Sequence, residues 1–316
     1  MPTQEIDVPH PLGTPLLIAN PAAGAGRDPV LQRLTAALEH GGVDYDLIET
    51  RGRGQATDLA RTAVVDEGRT FVVAVGGDGT VHEVVNGLVD ADTRTIRGQD
   101  PVLGIVSAGS GSDLVRTFGL DRRPEVLATH LATDATMRID LGHISLIGTD
   151  GDPVRRVFAN VAEAGFGGTV VQTCEHLPRR LGSARYALGI VVGWGRFRRV
   201  VTSVTVDGGQ ITEPVCNVVV ANGQFFGGGM RVAPRAIPSD GSFNVQSWGG
   251  KVSDVVRAGR LLRTGRHLER ADTREWRSAT VTVDAPRPLT VEADGEVLGT
   301  TPARFEVLPG ILRLKL

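Results

Sequence analysis

The sequence predicts an N-terminal doubly wound α/β domain over residues 1–138, followed by a β-sandwich-like domain over residues 139–316. Two observations support this prediction. Strand-like apolar runs alternate with helical patterns through the first part, as in a parallel sheet with helices on both faces. After about residue 138 the pattern changes to short β-type segments separated by turns, which is typical of antiparallel sheets.

The first domain contains apolar runs that we predict to be strands, at residues 16–19, 45–49, 71–75 and 102–106. A helix is predicted to begin at Pro29 with Asp28 as its N-cap, and another covers about 54–67. Glycine-rich turns follow three of the strands, at residues 20–27, 76–80 and 107–113. Since open α/β sheets bind ligands at the carboxyl ends of their strands, we expect these turns to form one site.

The second domain contains short segments with β-type composition, several of which alternate apolar and polar residues. We predict strands at residues 200–206, 215–220, 243–248, 280–284, 289–293 and 311–316. Two other segments, about 173–197 and 251–268, are predicted to be helices that interrupt the antiparallel sheet.

The turn Gly76-Gly77-Asp78-Gly79-Thr80 is the most informative motif. Its glycines let the backbone turn sharply between a strand and a helix and approach a ligand closely. Amides at the start of the helix favour a phosphate there, and the acidic Asp78 in such a site indicates a cation or a proton transfer. Thr80 and Glu83 also match a capping box, with the threonine as N-cap.

Composition limits the classes of function. The net charge of −2 gives no general attraction to nucleic acid, so we predict no nucleic-acid partner. Cys174 and Cys216 lack metal-binding spacing and a disulfide framework, which favours a reducing compartment. Without a signal-peptide pattern or an apolar stretch long enough to span a bilayer, the sequence predicts a cytoplasmic protein.

Five motifs follow one another along nearly the whole chain: Asn20-Pro21 with its glycines, Gly76–Thr80 continuing to Glu83 and Asn86-Gly87, Leu103–Asp113, Asp240-Gly241, and Asp294-Gly295-Glu296. Together they resemble the diacylglycerol kinase catalytic family, in particular the bacterial soluble lipid kinases related to sphingosine kinases. The resemblance implies ATP-dependent phosphorylation of a lipid hydroxyl, with diacylglycerol as the default acceptor and phosphatidic acid as the product.

The resemblance also implies where the nucleotide binds. In this family ATP binds to the first domain, and the reaction takes place in the cleft between the two domains. The residues of this chain that would contact the nucleotide are Asn20, Thr50, Gly76, Gly77, Gly79, Thr80 and Ser110.

Two residues are candidates for the general base. Glu296 falls on the position proposed as the base in the bacterial enzymes, whereas the related eukaryotic sphingosine kinases use the glycine-loop aspartate, here Asp78. From the residues alone, Glu296 would be a solvated hairpin residue and Asp294 a turn former.

The resemblance further implies that the enzyme uses Mg²⁺. Asp240 matches the position that holds a structural magnesium ion, and the backbone carbonyls near Ile237 and Ser242 would be its other ligands. Carboxylates suit this role because Mg²⁺ prefers oxygen ligands. The family pattern also implies a linked acidic set, made here of Asp78, Asp113 and Asp140, and we assign Asp113 and Asp140 to the metal site.

The third motif departs from the family pattern at four positions. Ser107 replaces the usual proline, Ser110 and Ser112 replace threonine and asparagine, and Leu114 replaces phenylalanine. Ser110 keeps a hydroxyl that can contact phosphate, whereas Ser112 lacks the hydrogen bonds of an amide. We expect these changes to affect the geometry of the site more than the reaction.

Two basic residues near the glycine-rich turns have more than one interpretation. His82 lies at the start of the helix predicted after the Gly76–Thr80 turn, where a solvated helix histidine is favoured over a phosphate ligand. Arg27 precedes the first predicted helix and is either a phosphate ligand or a surface arginine.

An apolar stretch at residues 186–194 is flanked by arginines, within the segment 179–199. Basic flanks around an apolar helix that carries a tryptophan suit transient docking on an anionic bilayer, where the lipid substrate would be met. The alternative is a helix packed in the core with solvated arginines. The arginines are Arg179, Arg180, Arg185, Arg196, Arg198 and Arg199.

Two other functions are compatible with the sequence. NAD kinases share the Gly-Gly-Asp-Gly motif and a similar two-domain layout, so a soluble-metabolite kinase is the second hypothesis. A non-catalytic nucleotide-binding regulator is the third, because the altered third motif leaves room for it. The motifs at Asp113, Asp240 and Glu296 favour the lipid kinase. A homodimer formed through a strand edge is compatible with the sequence, which does not require one.

Overall fold

The computed structural model describes residues 10–21, 29–108, 112–120, 123–177, 188–189, 191–193, 197–250 and 259–316. Its helices are α1 Pro29–His40, α2 Gln55–Val65, α3 Asp78–Leu88, α4 Asp113–Phe118, α5 Pro124–Leu131, α6 Phe166–Glu175 and α7 Gly259–Thr264, followed by the 3-10 helix Arg266–Glu269. Its strands are β1 Leu16–Ala19, β2 Asp46–Glu49, β3 Phe71–Gly76, β4 Val89–Asp90, β5 Thr95–Ile96, β6 Val102–Ser107, β7 Thr136–Gly148, β8 Pro153–Phe158, β9 Val161–Gly165, β10 Val200–Val206, β11 Gly209–Val215, β12 Asn217–Ala221, β13 Phe243–Trp248, β14 Thr273–Ser278, β15 Thr280–Asp284, β16 Thr290–Ala293 and β17 Glu296–Lys315.

The N-terminal half is built on a parallel sheet with the strand order β2-β1-β3-β6. Strands β1, β3 and β6 are buried along their whole length, which explains why they are continuous apolar runs without alternation. Helices α1 and α5 pack on one face, and α2 and α3 pack on the other. The predicted doubly wound arrangement is therefore confirmed.

The C-terminal half is an antiparallel β structure around a core of aromatic and branched side chains, as predicted. At its centre Phe158 stacks on Phe243 with ring centroids 5.6 Å apart and meets Phe305 edge to face at 6.4 Å. Strand β10 alternates buried and exposed residues because only one of its faces covers this core. The sequence analysis did not predict strands β7, β8, β9, β11 and β14.

One strand connects the two halves. The 20-residue strand β17 pairs antiparallel with β16, β15 and β7, and its end pairs in parallel with β6. Leu312 and Leu314, at that end, are fully buried in the core of the N-terminal half. The predicted strand at 311–316 is thus the end of β17, and the sheet is continuous from one half to the other.

The two helices predicted in the second half are found in the parts that the structure describes. The first prediction, 173–197, overlaps the end of α6 and helical backbone at 188–189 and 191–193. The second, 251–268, overlaps α7 and the 3-10 helix. The remaining residues of both segments lie outside the described ranges, as do Arg27 and the predicted N-cap Asp28.

The predicted capping box is wrong. Helix α3 begins at Asp78 with Gly77 as its N-cap, so Thr80 is already inside the helix. The carboxylate of Glu83 instead accepts hydrogen bonds from the backbone N–H groups of Gly54 at 2.9 Å and Ala56 at 3.1 Å. Gly54 is the N-cap of α2 and has no side chain to satisfy that helix start, so Glu83 caps the neighbouring helix.

Candidate active site

A cleft of about 1220 Å³ opens at the carboxyl ends of β1, β2 and β3. This volume exceeds the roughly 300–1,000 Å³ of most small-molecule sites, so a nucleotide would leave room for part of a second substrate. Residues from both halves of the protein line it. They include five of the predicted nucleotide contacts and the first candidate base, namely Asn20, Thr50, Gly77, Gly79, Thr80 and Glu296.

The glycine turn after β3 holds the first and second sequence motifs together. The side-chain amide of Asn20 donates to the hydroxyl of Thr80 at 3.3 Å, and the backbone of Asn20 donates to the Val75 carbonyl at 2.9 Å. A Cβ on Gly76 would lie 2.3 Å from the Thr80 hydroxyl oxygen, so only glycine fits there. Predicted contact Ser110 lies outside the described residues.

Two of the residues that depart from the family pattern in the third motif contact each other. The hydroxyls of Ser107 and Ser112 hydrogen-bond to each other, and Ser112 has a left-handed backbone with φ 56°. Leu114, which replaces the usual phenylalanine, is buried in the core of the N-terminal half. The two serines therefore connect the end of β6 to the start of α4.

Two arginines that the sequence reasoning missed also line the cleft. Arg51 and Arg53 lie in the loop between β2 and α2, and the Arg53 guanidinium is 3.3 Å from the Glu296 carboxylate. Guanidinium groups suit the binding of phosphate oxygens. The run Arg51-Gly52-Arg53-Gly54, directly after a predicted strand and Thr50, was the available signal.

Asp78, the second candidate base, has a different position from Glu296. Its carboxylate accepts the backbone N–H of Asp113 at 3.0 Å, at the start of α4. Burial and then the nearby charge of Asp113 raise the pKa of Asp78 to about 6. Such a value suits a general base, but the carboxylate caps α4, whereas Glu296 lines the cleft.

The other two members of the predicted acidic set bind turns of the C-terminal half. Asp113 accepts the N–H groups of Gly228 at 2.9 Å and Gly229 at 2.7 Å. Asp140 accepts those of Gly241 and Gly310, both at 2.7 Å. The structure thus joins Asp78 to Asp113, and it shows Asp140 bound to the turn before β13 and to the irregularity of β17 at Gly310.

The predicted magnesium ligands are not arranged as a metal cage. One oxygen of Asp240 accepts the Ser242 N–H at 3.0 Å, and the other is paired with the Arg277 guanidinium. The Ile237 carbonyl already accepts the Ser239 N–H at 2.8 Å. Within the described ranges no cluster of three or more His, Cys, Asp or Glu side chains could hold a metal. A cation at Asp240 would require Arg277 to leave, so these ligands stay predictions.

His82 is not the solvated helix residue that the sequence favoured. It is 3% exposed, and its Nδ1 lies 3.0 Å from a carboxylate oxygen of Asp294. The prediction failed because α3 packs against the turn between β16 and β17, more than 200 positions away in the chain, which local periodicity does not reveal. Asp294 has φ 51°, in agreement with its interpretation as a turn former.

Two buried glutamates lie opposite each other beneath this turn. Glu163 of β9 and Glu292 of β16 pair in the antiparallel register and are 1% and 3% exposed. Asn217 donates to Glu163 at 2.8 Å, and Glu292 accepts the Gly295 N–H at 2.8 Å. Burial raises the pKa of Glu163 to about 7, and burial followed by the charge of Glu163 raises the pKa of Glu292 further. Burial therefore favours the protonated form of these carboxyl groups, and a proton on one of them can be donated to the other.

This pair predicts a pH dependence of stability. The pKa of folded Glu163 is about 7 against an ordinary value of 4.5, so the folded state binds more protons between these values. The free energy of unfolding should therefore fall as pH rises from about 4.5 through 7, by about 3 kcal/mol from this group. Urea denaturation at several pH values should give a flatter profile for Glu163→Gln. An unchanged profile would contradict the assignment, and the exposed Glu269→Gln is the control.

Comparison with known proteins agrees with this architecture. Residues 14–144 match the diacylglycerol kinase catalytic domain, and residues 160–316 match the YegS C-terminal NAD kinase beta sandwich-like domain. A crystal structure of a diacylglycerol kinase from Bacillus anthracis str. Sterne superposes with a TM-score of 0.70 over 96% of each chain at 21% identity, which supports the fold.

Two curated relatives extend over nearly the whole chain. "Diacylglycerol kinase" from Mycobacterium tuberculosis is 29% identical over 313 residues, covering 96% of both chains. "Probable lipid kinase YegS-like" from Xanthomonas axonopodis pv. citri is 31% identical over 297 residues, covering 90% of this chain and 91% of the relative. The two matched domains and these relatives identify a two-domain protein of the lipid kinase class. The chain belongs to the family of diacylglycerol kinases and YegS-like lipid kinases.

Proposed function

We propose that the protein transfers the γ-phosphate of ATP to the hydroxyl of a lipid, with diacylglycerol as the acceptor and phosphatidic acid as the product. The observation that supports this most is the position of Glu296, which lines the same cleft as Gly77, Gly79 and Thr80. A carboxyl group suited to accept a proton and a glycine turn suited to hold phosphate therefore line the same cleft. The relative from Mycobacterium tuberculosis, which is named a diacylglycerol kinase, supports the choice of acceptor.

Phosphoryl transfer requires positioning and neutralisation of charge more than covalent chemistry from the protein. The backbone amides at Gly77 and Gly79 and the Thr80 hydroxyl would hold the phosphate oxygens, and Arg51 and Arg53 would neutralise their charge. Glu296 would take the proton of the lipid hydroxyl as its oxygen bonds to the γ-phosphorus. The bond from that phosphorus to the β–γ bridging oxygen breaks, and ADP leaves with the electron pair.

Mg²⁺ would enter this reaction with the nucleotide. Magnesium commonly binds substrate phosphates with one or two protein carboxylates and keeps several waters. It would supply further neutralisation of the transferred phosphoryl group.

Transfer of labelled γ-phosphate from ATP in mixed micelles tests the proposal. Diacylglycerol, monoacylglycerol, sphingosine, ceramide and NAD would be compared as acceptors. Labelled phosphatidic acid is the expected product. Label on NAD would instead favour the soluble-metabolite kinase, and tight ATP binding without transfer to any acceptor would favour the nucleotide-binding regulator.

We also propose that the protein meets its lipid by transient docking through the segment 179–199. Leu188 and Val191 are 39% and 61% exposed there. Gly189 and Gly193 lie against residues of α6, on the side away from the exposed Leu188 and Val191. No helix among the residues with a described structure is long and apolar enough to cross a bilayer.

Vesicle sedimentation tests the docking proposal. A Val191→Ser, Arg198→Gln variant should bind vesicles of anionic phospholipid several-fold more weakly than the unchanged protein, because both apolar and charge contacts are lost. Val65→Ser is a matched control, since Val65 is 54% exposed on α2. Equal binding by all three proteins would refute docking through this segment.

A cytoplasmic location and a homodimer through a strand edge remain predictions, and light scattering would measure the oligomeric state.

A further inference from the structure

Three polar side chains in a row connect α3 to the turn between β16 and β17, and two of the three are buried. His82 Nδ1 lies 3.0 Å from Asp294 Oδ2, and His82 Nε2 lies 3.9 Å from Glu296 Oε2. The side chains of His82 and Asp294 are 4% and 5% exposed, whereas that of Glu296 is 23% exposed. The row therefore runs from the interior to the wall of the cleft.

The hydrogen bonds around Asp294 determine where His82 carries a proton. The carboxylate of Asp294 accepts the backbone N–H groups of Ala159 at 2.9 Å, Asn160 at 3.0 Å and Val161 at 3.2 Å. With three N–H donors, both oxygens of this carboxyl group act as hydrogen-bond acceptors. The 3.0 Å contact with His82 must then use a proton on Nδ1.

The other ring nitrogen, Nε2, faces Glu296. The amide of Asn86 forms a two-way pair with the backbone of Val157, donating at 2.8 Å and accepting at 3.0 Å. Its second N–H donates to the His82 carbonyl at 2.9 Å. With both N–H groups used, the longer 3.3 Å contact from this amide to Nε2 is not a good hydrogen bond. A proton on Nε2 would instead face the Glu296 carboxylate.

The charges near His82 favour this second proton. Burial lowers the pKa of His82, but the hydrogen bond and charge of Asp294, followed by the charge of Glu296, outweigh burial and raise it. The exposed Arg156 on β8 acts in the opposite direction. The raised pKa favours a second proton on His82, and that proton would face the Glu296 side chain.

We propose that His82 is a positioning residue that Asp294 holds in place and that, in turn, fixes the Glu296 carboxylate in the cleft. The proposal rests on the proposed function, since it concerns the group that accepts the hydroxyl proton. Glu296 benefits from such support because the preceding Gly295, with φ 85°, has no side chain to pack against it. Its other cationic neighbour, Arg53, is 65% exposed and would also be drawn to the phosphates of ATP.

Fixing the base affects the rate because phosphoryl transfer depends on alignment. A displacement of about 1 Å in a catalytic group can cost about a hundredfold in rate. While Arg53 turns towards bound phosphates, the contact with His82 would keep the Glu296 carboxylate beside the acceptor hydroxyl. The lipid acceptor would therefore bind with nearly the same affinity when His82 is absent, but would react more slowly.

Titration of isotope-labelled His82 by NMR tests the coupling without measuring activity. In the unchanged protein we expect the titration midpoint of His82 to lie above that of an ordinary histidine. In Glu296→Gln the midpoint should fall by about one pH unit, since the nearby carboxylate charge is lost. An unchanged midpoint would overturn the proposal. A shifted midpoint in a protein without lipid kinase activity would refute the proposed function while leaving the contact established.

Kinetics of His82→Asn test the effect on the reaction. The asparagine amide can replace the Nδ1–H donor to Asp294 but has nothing in the place of Nε2. We expect kcat to fall 10- to 100-fold, with KM for the lipid within about threefold. His143→Asn is the matched control, because His143 is fully buried on β7 and bonds to the Ala91 carbonyl. A His82→Asn enzyme that keeps kcat within twofold, or loses no more than the control, would overturn the proposal.

Discussion

The Glu296→Gln variant is expected to lose lipid kinase activity by about 10²–10⁴-fold in kcat, the contribution of a positioned general base. Glutamine has nearly the same shape as glutamate and can keep contacts with Arg53, but it cannot accept the hydroxyl proton. Because Glu296 is partly exposed at the wall of the cleft, the substitution should leave the fold and ATP affinity nearly unchanged. Lipid phosphorylation, ATP binding and thermal denaturation should be measured on the same preparation.

Asp78→Asn separates the two candidate bases. Asparagine still offers an oxygen to the Asp113 N–H, so the start of α4 remains capped. If Glu296 is the base, this variant should retain more activity than Glu296→Gln, and its loss should be shared between ATP binding and rate. If Asp78→Asn is the less active of the two and Glu296→Gln keeps most of its kcat, the base is Asp78.

The Gly76→Ala variant is expected to lose ATP binding by more than about 100-fold and to be destabilised by about 1–3 kcal/mol. The added Cβ would lie 2.3 Å from the hydroxyl oxygen and 2.7 Å from the Cβ of Thr80. To relieve this steric clash, the end of β3 and the start of α3 would have to move apart. That movement would displace the backbone amides of the turn. Calorimetry with ATP and urea denaturation would measure the two effects.

Gly79→Ala is the matched control within the same turn. A Cβ on Gly79 would have nothing within 4 Å, and its backbone has no left-handed φ, so stability should be unchanged. Gly79 lines the cleft, so a modest loss of ATP affinity is compatible with the site. Equal stability and equal ATP affinity of Gly76→Ala and the unchanged protein would contradict the described turn.

The sequence predicted the elements whose signal is local. The strands β1, β3 and β6 are continuous apolar runs because both of their faces are covered. Glycines between strand and helix marked the cleft edge, and that edge indeed brings together Asn20, Thr50 and Thr80. The five ordered motifs then indicated the family, since their order reflects one fold.

Partners of polar side chains could not be predicted in the same way. Glu83 has the spacing of a capping box, yet it caps α2, because packing of α3 against α2 offers it a helix start that has no side chain of its own. His82 has helical spacing in a helix, but the turn at Asp294 covers it. Glu163 and Glu292 are unremarkable in sequence, and only the register of β9 with β16 makes them neighbours.

The path of β17 affects the order in which the protein can fold during synthesis. Strand β6 lies between β3 and β17, and its outer partners are Arg313 and Leu314, about 200 residues later in the chain. Until the ribosome has made that stretch, the nascent α/β half has an unpaired hydrophobic edge, which invites association with other chains. Because of this topology, the sheet of the first half can be completed only late in synthesis. We expect chaperones to bind the nascent α/β half until then.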